Sequence, residues 1–199
     1  MDLFSTRVPP GLDRAFTTAR RTALDASSWV ELVPGWLRGG EALLEILLEA
    51  VPWQQHQRRL FEQTFLEPRL TAQYKSLSDA PQALADAAGA LSDHYGIKYD
   101  NLWLNLYRHG RDSTSWHRDR FSCRRPECIV PVLTIGAARR FLLKPRAGGS
   151  SSGFEPHCGD LVVMGGRCQE DWVHSVPKDD PAIGVRVSVN FQSSEQAKR

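Results

Sequence analysis

The segment Trp116-His117-Arg118-Asp119 sets an imidazole and a carboxylate two residues apart. On an extended backbone, side chains two apart leave the same face, so both can ligate one metal ion. A second imidazole, His174, follows 57 residues after His117. Two histidines and one carboxylate form the facial ligand set of non-haem Fe(II) oxygenases, which leaves three positions open for a co-substrate and oxygen. Twelve residues beyond His174 stands Arg186, on a run that alternates Val185, Val187, Val189 and Phe191 with Arg186, Ser188, Asn190 and Gln192. A guanidinium enclosed in a sheet structure is costly unless it meets an anion. A carboxylate is the anion that it binds with paired hydrogen bonds.

The elements that must position these groups are mostly strands. Asn101–Tyr107 places Leu102, Leu104 and Leu106 on one face and Trp103, Asn105 and Tyr107 on the other. Ile129–Ile135, Arg140–Lys144, Asp160–Met164 and Val185–Phe191 are further strand candidates, broken by Gly and Pro turns. The pattern predicts an antiparallel sandwich or barrel. Two helices precede it. Glu41–Val51 carries Leu44, Leu47, Leu48 and Val51 at helical spacing and ends at Pro52. Gln82–Tyr95 carries Leu84, Ala87, Ala88 and Leu91 on one face, with Pro81 at its start and Gly96 at its stop. A short helix is expected over Leu12–Ala23. The fold class is therefore mainly β with flanking helices (α+β). Residues 1–50 form an N-terminal extension with a helical segment, and 51–199 form the domain that carries the chemistry. The Gly- and Ser-rich stretch Arg146–Cys158 and the stretch Pro177–Gly184 are expected to be mobile loops.

Composition narrows the class. The chain has 199 residues, 41% hydrophobic and 24% charged, enough apolar matter for one packed domain and too much for wholesale disorder. No apolar run approaches the roughly 18 residues of a membrane span, and Met1–Arg21 lacks a secretory design. A soluble intracellular protein, cytoplasmic or nuclear, is expected. The net charge of +2 hides an asymmetry. Residues 1–100 hold 10 Lys/Arg and 13 Asp/Glu, whereas 101–199 hold 15 and 10. Six arginines fall between Arg108 and Arg125, a surface that could face phosphate. Cys123, Cys128, Cys158 and Cys168 are expected to be thiols, and their spacing repeats no tight zinc pair.

The motifs as a set resemble the AlkB-like Fe(II)/2-oxoglutarate-dependent dioxygenases, in particular the nucleic-acid dealkylating branch. The resemblance runs from about Glu67 to Phe191. It is carried by Pro-Arg-Leu-Thr-Ala-Gln-Tyr at 68–74, Asn-Leu-Tyr-Arg-His-Gly-Arg-Asp-Ser at 105–113 and Trp-His-Arg-Asp at 116–119. Thr-Ile-Gly-Ala-Ala-Arg-Arg-Phe at 134–141, Gly-Asp-Leu-Val-Val-Met at 159–164, Trp-Val-His-Ser-Val-Pro at 172–177 and Arg-Val-Ser-Val-Asn-Phe at 186–191 follow in order. The resemblance implies a double-stranded β-helix, or jelly roll. It implies iron on His117, Asp119 and His174. It also implies 2-oxoglutarate held by Arg186 and Tyr107 at its distal carboxylate and by Asn105 at its chelating end, with O2 as the oxidant. Tyr74 matches a position near the target base, and Arg139 a basic residue beside the active site. The reaction implied couples decarboxylation of 2-oxoglutarate to succinate with hydroxylation of an N-methyl carbon, which then leaves as formaldehyde. The partner implied is alkylated DNA or RNA, unstacked or single-stranded.

Two departures bear on specificity. The closing strand of the family ends in arginine where Gln192 stands and has asparagine at the place of Ser188. Glutamine donates hydrogen bonds but carries no charge, which predicts weaker co-substrate binding or a rearranged site. After the His-x-Asp pair, repair members place an acidic residue, and here Arg120 and Phe121 follow. Arg120 disfavours a cationic base, whereas Phe121 offers a stacking face. Alternatives are the same oxygenase acting on a protein or small molecule, and a non-catalytic binding member.

Overall fold

A computed structural model describes residues 9–60, 63–119 and 123–198, with the backbone alone described at 58–60 and 63–65. The first part holds β1 (Gly11–Leu12), β2 (Arg20–Ala23), β3 (Ser28–Val33), β4 (Leu37–Arg38) and helix α1 (Gly40–Ala50). Next come β5 (Gln57–Leu60), β6 (Gln63–Leu66), β7 (Leu70–Tyr74), a 3-10 turn at Leu77–Asp79 and helix α2 (Gln82–Tyr95). Then follow β8 (Asn101–Tyr107), β9 (Thr114–His117), β10 (Val130–Gly136), β11 (Phe141–Pro145) and β12 (Ser152–Phe154). The chain closes with β13 (Leu161–Gly166), the short helix α3 (Cys168–Asp171), β14 (Trp172–Val176) and β15 (Arg186–Gln192).

Two antiparallel sheets form the body. The large one runs β2-β3-β13-β10-β15-β8-β7, the small one β12-β11-β14-β9, and β1-β4 and β5-β6 are separate pairs. This is the expected mainly β, jelly-roll architecture with flanking helices. One buried cluster joins Leu43 and Leu47 of α1 and Leu84, Ala87, Ala88 and Leu91 of α2 to Leu102, Leu104 and Leu106 of β8. The alternation of β8 thus turns its leucines to the helices and Asn105 and Tyr107 to the other side. A second cluster between the sheets joins Tyr107, Val132, Phe141, Leu143, Val162, Met164 and Val176. α2 stops at Gly96, whose left-handed backbone (φ 65°) closes the helix through a bond from its N–H to the Ser92 carbonyl.

The structure corrects several local expectations. No helix forms at Leu12–Ala23. Turns there lead into β2, because Asp13 accepts from the Ala15 and Thr17 amides and caps the chain locally. β2 and β3 join the large sheet through β13, so the described part of the first 50 residues supplies two of its strands as well as α1. Within Arg146–Cys158, Ser152–Phe154 pairs with β11 as β12. The Pro177–Gly184 stretch is tied down. The Asp179 amide donates to the Gly110 carbonyl at 2.7 Å, and Arg140 pairs with Asp179 at 3.2 Å. Cys123 and Cys128 are joined in a disulfide rather than free, their Cα atoms 6.0 Å apart. The loop that brings them together is held by bonds from the Cys123 amide to the Asp119 carbonyl and from the Arg124 amide to the Gln196 carbonyl. Among the described residues, no helix is long and apolar enough to cross a membrane.

Candidate metal and co-substrate site

His117 and His174 reach each other by sheet register. β9 and β14 are antiparallel neighbours with His174 directly opposite His117, and their rings lie 4.2 Å apart. Asp119 lies two residues past the end of β9, and its carboxylate sits between the imidazoles. Its Oδ1 is 3.5 Å from His117 Nε2, and its Oδ2 is 3.4 Å from His174 Nε2. One ligand atom from each residue falls within 4.8 Å of the others, and no second group of this kind occurs among the described residues. Ligands about 2.1 Å from one ion and at right angles stand about 3 Å apart, so the three atoms suit a single ion. His117 Nδ1 pairs with the Ser115 carbonyl at 2.8 Å, which makes it the protonated nitrogen and frees Nε2 for the metal. Phe141 stacks on His174 at 5.3 Å and fixes the other ring.

The electrostatics suit a cation. Burial pushes the Asp119 carboxyl up, but the charge of His174 and hydrogen bonds from both imidazoles outweigh it and hold the group well below the carboxylate range. His174 is 5% exposed, and burial lowers its proton affinity despite Asp119. At His117 burial acts the same way, but the hydrogen bond and charge of Asp119 win and raise its proton affinity, with Arg69 pulling back. An ionised carboxylate facing a neutral buried imidazole is the state that binds metal.

The co-substrate pocket lies on the inner face of the large sheet. Register aligns Thr134, Ser188, Asn105 and Thr71 in a row across β10, β15, β8 and β7. Arg186 stands opposite Tyr107 in the next row. It is 1% exposed, and its Nη2 donates to Thr134 Oγ1 at 3.1 Å. Its Nε and Nη1 are buried without a partner. Burial, above all, lowers its proton affinity. Such a cation calls for an anion, and a carboxylate fits the open edge of the guanidinium. Tyr107 hydroxyl bonds Thr114 Oγ1 at 2.8 Å, and its ring lies 5.2 Å from the Arg186 guanidinium carbon. Asn105 Nδ2 donates to Ser188 Oγ at 3.1 Å, and its Oδ1 accepts from Arg69 Nε at 2.9 Å and Trp103 Nε1 at 3.2 Å.

Other expected site residues fare differently. Gln192 lies on the Arg186 face of β15 at its far end, opposite Asn101 and half-buried. Tyr74 is not in this pocket. It pairs with Leu102 and packs on the helix-side cluster, across the sheet from Asn105, because the pleat turns Arg69, Thr71 and Gln73 inward instead. Arg139 is not a surface contact for substrate. It is 1% exposed and donates to the carbonyls of His109, Gly110, Asp112 and Pro177, so it clamps two loops. Arg120 and Phe121 lie outside the described residues. Of the basic run, Arg108 is spent on Asp112, and Arg118 reaches the Glu170 carbonyl. Arg111, Arg124 and Arg125 remain exposed.

Sequence reasoning passed over Thr134, Arg69 and Gln169. Thr134 carried a signal, as the polar residue in an otherwise apolar strand. Arg69 lay inside a quoted motif. Gln169, whose Oε1 accepts the Asp119 amide at 2.8 Å, sits in a four-residue helix with no pattern to announce it.

Comparison with known proteins agrees with this geometry. The model of the 2OG-Fe(II) oxygenase superfamily matches residues 66–196. Human alpha-ketoglutarate-dependent dioxygenase alkB homolog 3 is 30% identical over 189 residues, covering 83% of this chain and 66% of that protein. The DNA oxidative demethylase ALKBH2 of Arabidopsis thaliana is 26% identical over 182 residues, covering 71% and 58%. The chain thus spans just under two thirds of the length of the first of these relatives and less of the second. The structure of OsALKBH1 shares the fold, with a TM-score of 0.60 at 11% identity over 87% of this chain and 100% of that one. With a family match over more than half its length and alkB homologues among its relatives, the chain belongs to the 2OG-Fe(II) oxygenase superfamily and is AlkB-like within it.

Proposed function

We propose that this chain is an Fe(II)/2-oxoglutarate-dependent dioxygenase that oxidatively dealkylates N-alkylated bases in DNA or RNA, releasing formaldehyde and succinate. The observation that carries the reading is the cluster of His117, Asp119 and His174 together with a buried Arg186 guanidinium whose Nε and Nη1 have no partner. His117 Nε2, Asp119 and His174 Nε2 would hold Fe(II). Arg186, with Thr134 and Tyr107 around it, would hold the distal carboxylate of 2-oxoglutarate, and Asn105 and Ser188 would face the chelating end. When bound with 2-oxoglutarate and O2, Fe(II) supplies the oxidation of the methyl carbon.

The protein's own share is positional. Ser115 orients His117, Phe141 orients His174, and Arg186 neutralises and aligns the co-substrate. The row of Thr134, Ser188 and Asn105 replaces water around the oxoacid with fixed dipoles. The exposed Arg111, Arg124 and Arg125 would contact phosphate. A relative named for DNA demethylation supports a nucleic-acid substrate, and a cytoplasmic or nuclear location belongs to the same proposal.

The test is incubation with Fe(II), 2-oxoglutarate and N-methylated oligonucleotides. Formaldehyde with a repaired oligonucleotide is expected. Succinate without repair would move the substrate to a protein or metabolite. No succinate would make the chain a binding member of the family.

A further inference from the structure

The two histidines of the triad are held by strand pairing, but Asp119 is not. β9 ends at His117, two residues before the carboxylate. Among the described residues, the Asp119 carbonyl accepts from the Cys123 amide at 2.9 Å, and its own amide meets a side chain. Gln169 of α3 is 1% exposed, and its Oε1 accepts the Asp119 amide at 2.8 Å. Its Nε2 points to Met164 Sδ at 3.4 Å, on the strand β13 that precedes α3. The glutamine therefore uses its acceptor on the ligand's backbone and its donor on the core. Neighbouring contacts seat α3 against the same segment. Arg118 donates to the Glu170 carbonyl at 3.3 Å, and its guanidinium lies 3.9 Å from the Glu170 carboxylate.

We propose that Gln169 is the positioning residue for Asp119, setting the carboxylate between His117 and His174 before metal arrives. A buried amide with both ends engaged rigidifies the segment that it bonds, because breaking either bond would leave a buried polar group unpaired. Side chains that orient a metal ligand are worth about 10- to 100-fold in metal affinity. The inference rests on reading the triad as a metal centre.

The experiment measures Co(II) binding to the metal-free protein by the cobalt d–d absorption, alongside thermal unfolding without metal. Three variants are compared with the wild type. Gln169→Met keeps the volume and removes the acceptor. Gln169→Asn draws the acceptor back by one methylene. Gln169→Glu keeps an oxygen in place. Met and Asn are expected to weaken Co(II) binding at least about tenfold and to alter the cobalt spectrum. Glu is expected to stay within about threefold of wild type, as the retained oxygen still accepts the bond. Wild-type affinity in either Met or Asn would overturn the proposal, as would a loss in Glu equal to that in Met. If Met fails to fold, Asn carries the same expectation. Failure of the wild type to bind Co(II) would instead overturn the metal reading itself.

Discussion

His117 and His174 face each other as a register pair of β9 and β14, although 57 residues separate them in the chain. One cross-strand pairing thus brings two ligands together, and a single carboxylate past the strand end completes the set. Of the three candidate ligands, His117 lies on the edge strand of the small sheet, 39% exposed at its side chain, and Asp119 lies past that strand's end. Their removal should leave the core intact.

His117→Ala and Asp119→Ala should each abolish succinate formation while the metal-free protein melts close to wild type. Activity surviving in either variant would exclude the triad. A melting temperature that collapses in both would make the cluster structural instead.

Arg186→Met separates function from stability in the opposite sense. The variant removes a buried cation with two unpartnered nitrogens, so the ligand-free protein should be as stable as wild type or more so, by up to about 2 kcal/mol. Binding of 2-oxoglutarate should fall by at least about 100-fold with the loss of a paired, charge-assisted contact. Denaturant unfolding with and without 2-oxoglutarate reads both. A destabilised variant that still binds would show that Arg186 serves the sheet rather than a ligand.

Arg69 acts through Asn105. With Oδ1 taken by Arg69 and Trp103, the amide cannot flip, and its NH2 group is kept toward Ser188. Arg69→Gln should raise the KM for 2-oxoglutarate by roughly tenfold with little change in the kcat, and Arg69→Lys should recover part of the loss. A fall in kcat alone would place Arg69 in the chemical step.

Gln192 occupies the far end of the Arg186 face, where the family resemblance expects a cation. Gln192→Arg should tighten 2-oxoglutarate binding by roughly three- to tenfold, read by the co-substrate's protection against unfolding. Weaker binding would show that this end of the pocket is built for a different ligand.

The legible parts of the fold are those where one period governs. The alternation of Asn101–Tyr107 and of Val185–Phe191 placed Asn105, Tyr107 and Arg186 on one face, and the register of β8 with β15 agrees. Helix α2 begins and ends where Pro81 and Gly96 punctuate it. The failures come where tertiary contact decides. Leu12–Ala23 has helix-compatible composition, yet a local Asp13 cap and pairing with β3 win. Tyr74 is given its place near the target base by resemblance alone, and its turn to the helix side comes from pairing with β8, which the motif does not spell out. Arg139 is read by resemblance as a basic residue beside the active site, and composition cannot show the four carbonyls to which it donates. The disulfide follows from a loop closure that no spacing rule requires.

The N-terminal strands reach the metal strand through Asp25. Its Oδ2 accepts from Trp172 Nε1 at 2.6 Å, two residues before His174, and its Oδ1 accepts from the Ser27 and Ser28 amides. Burial, the largest single influence, pushes the carboxyl up, but these donors together prevail and bring its pKa down to about 2. An aspartate in the unfolded chain titrates near 3.9, about two units higher. The folded state therefore favours the ionised form. Its contribution is present in full above about pH 5 and is lost as pH falls through about 2. Because the site faces solvent, the effect is screened and modest. Asp25→Asn should lower the melting temperature of the metal-free protein by a few degrees at pH 6. That difference should shrink steadily toward pH 2.5, where wild-type Asp25 is itself largely protonated on unfolding. A gap between wild type and variant that stays constant over this range would show that the carboxylate charge contributes nothing to the tie between β2–β3 and β14.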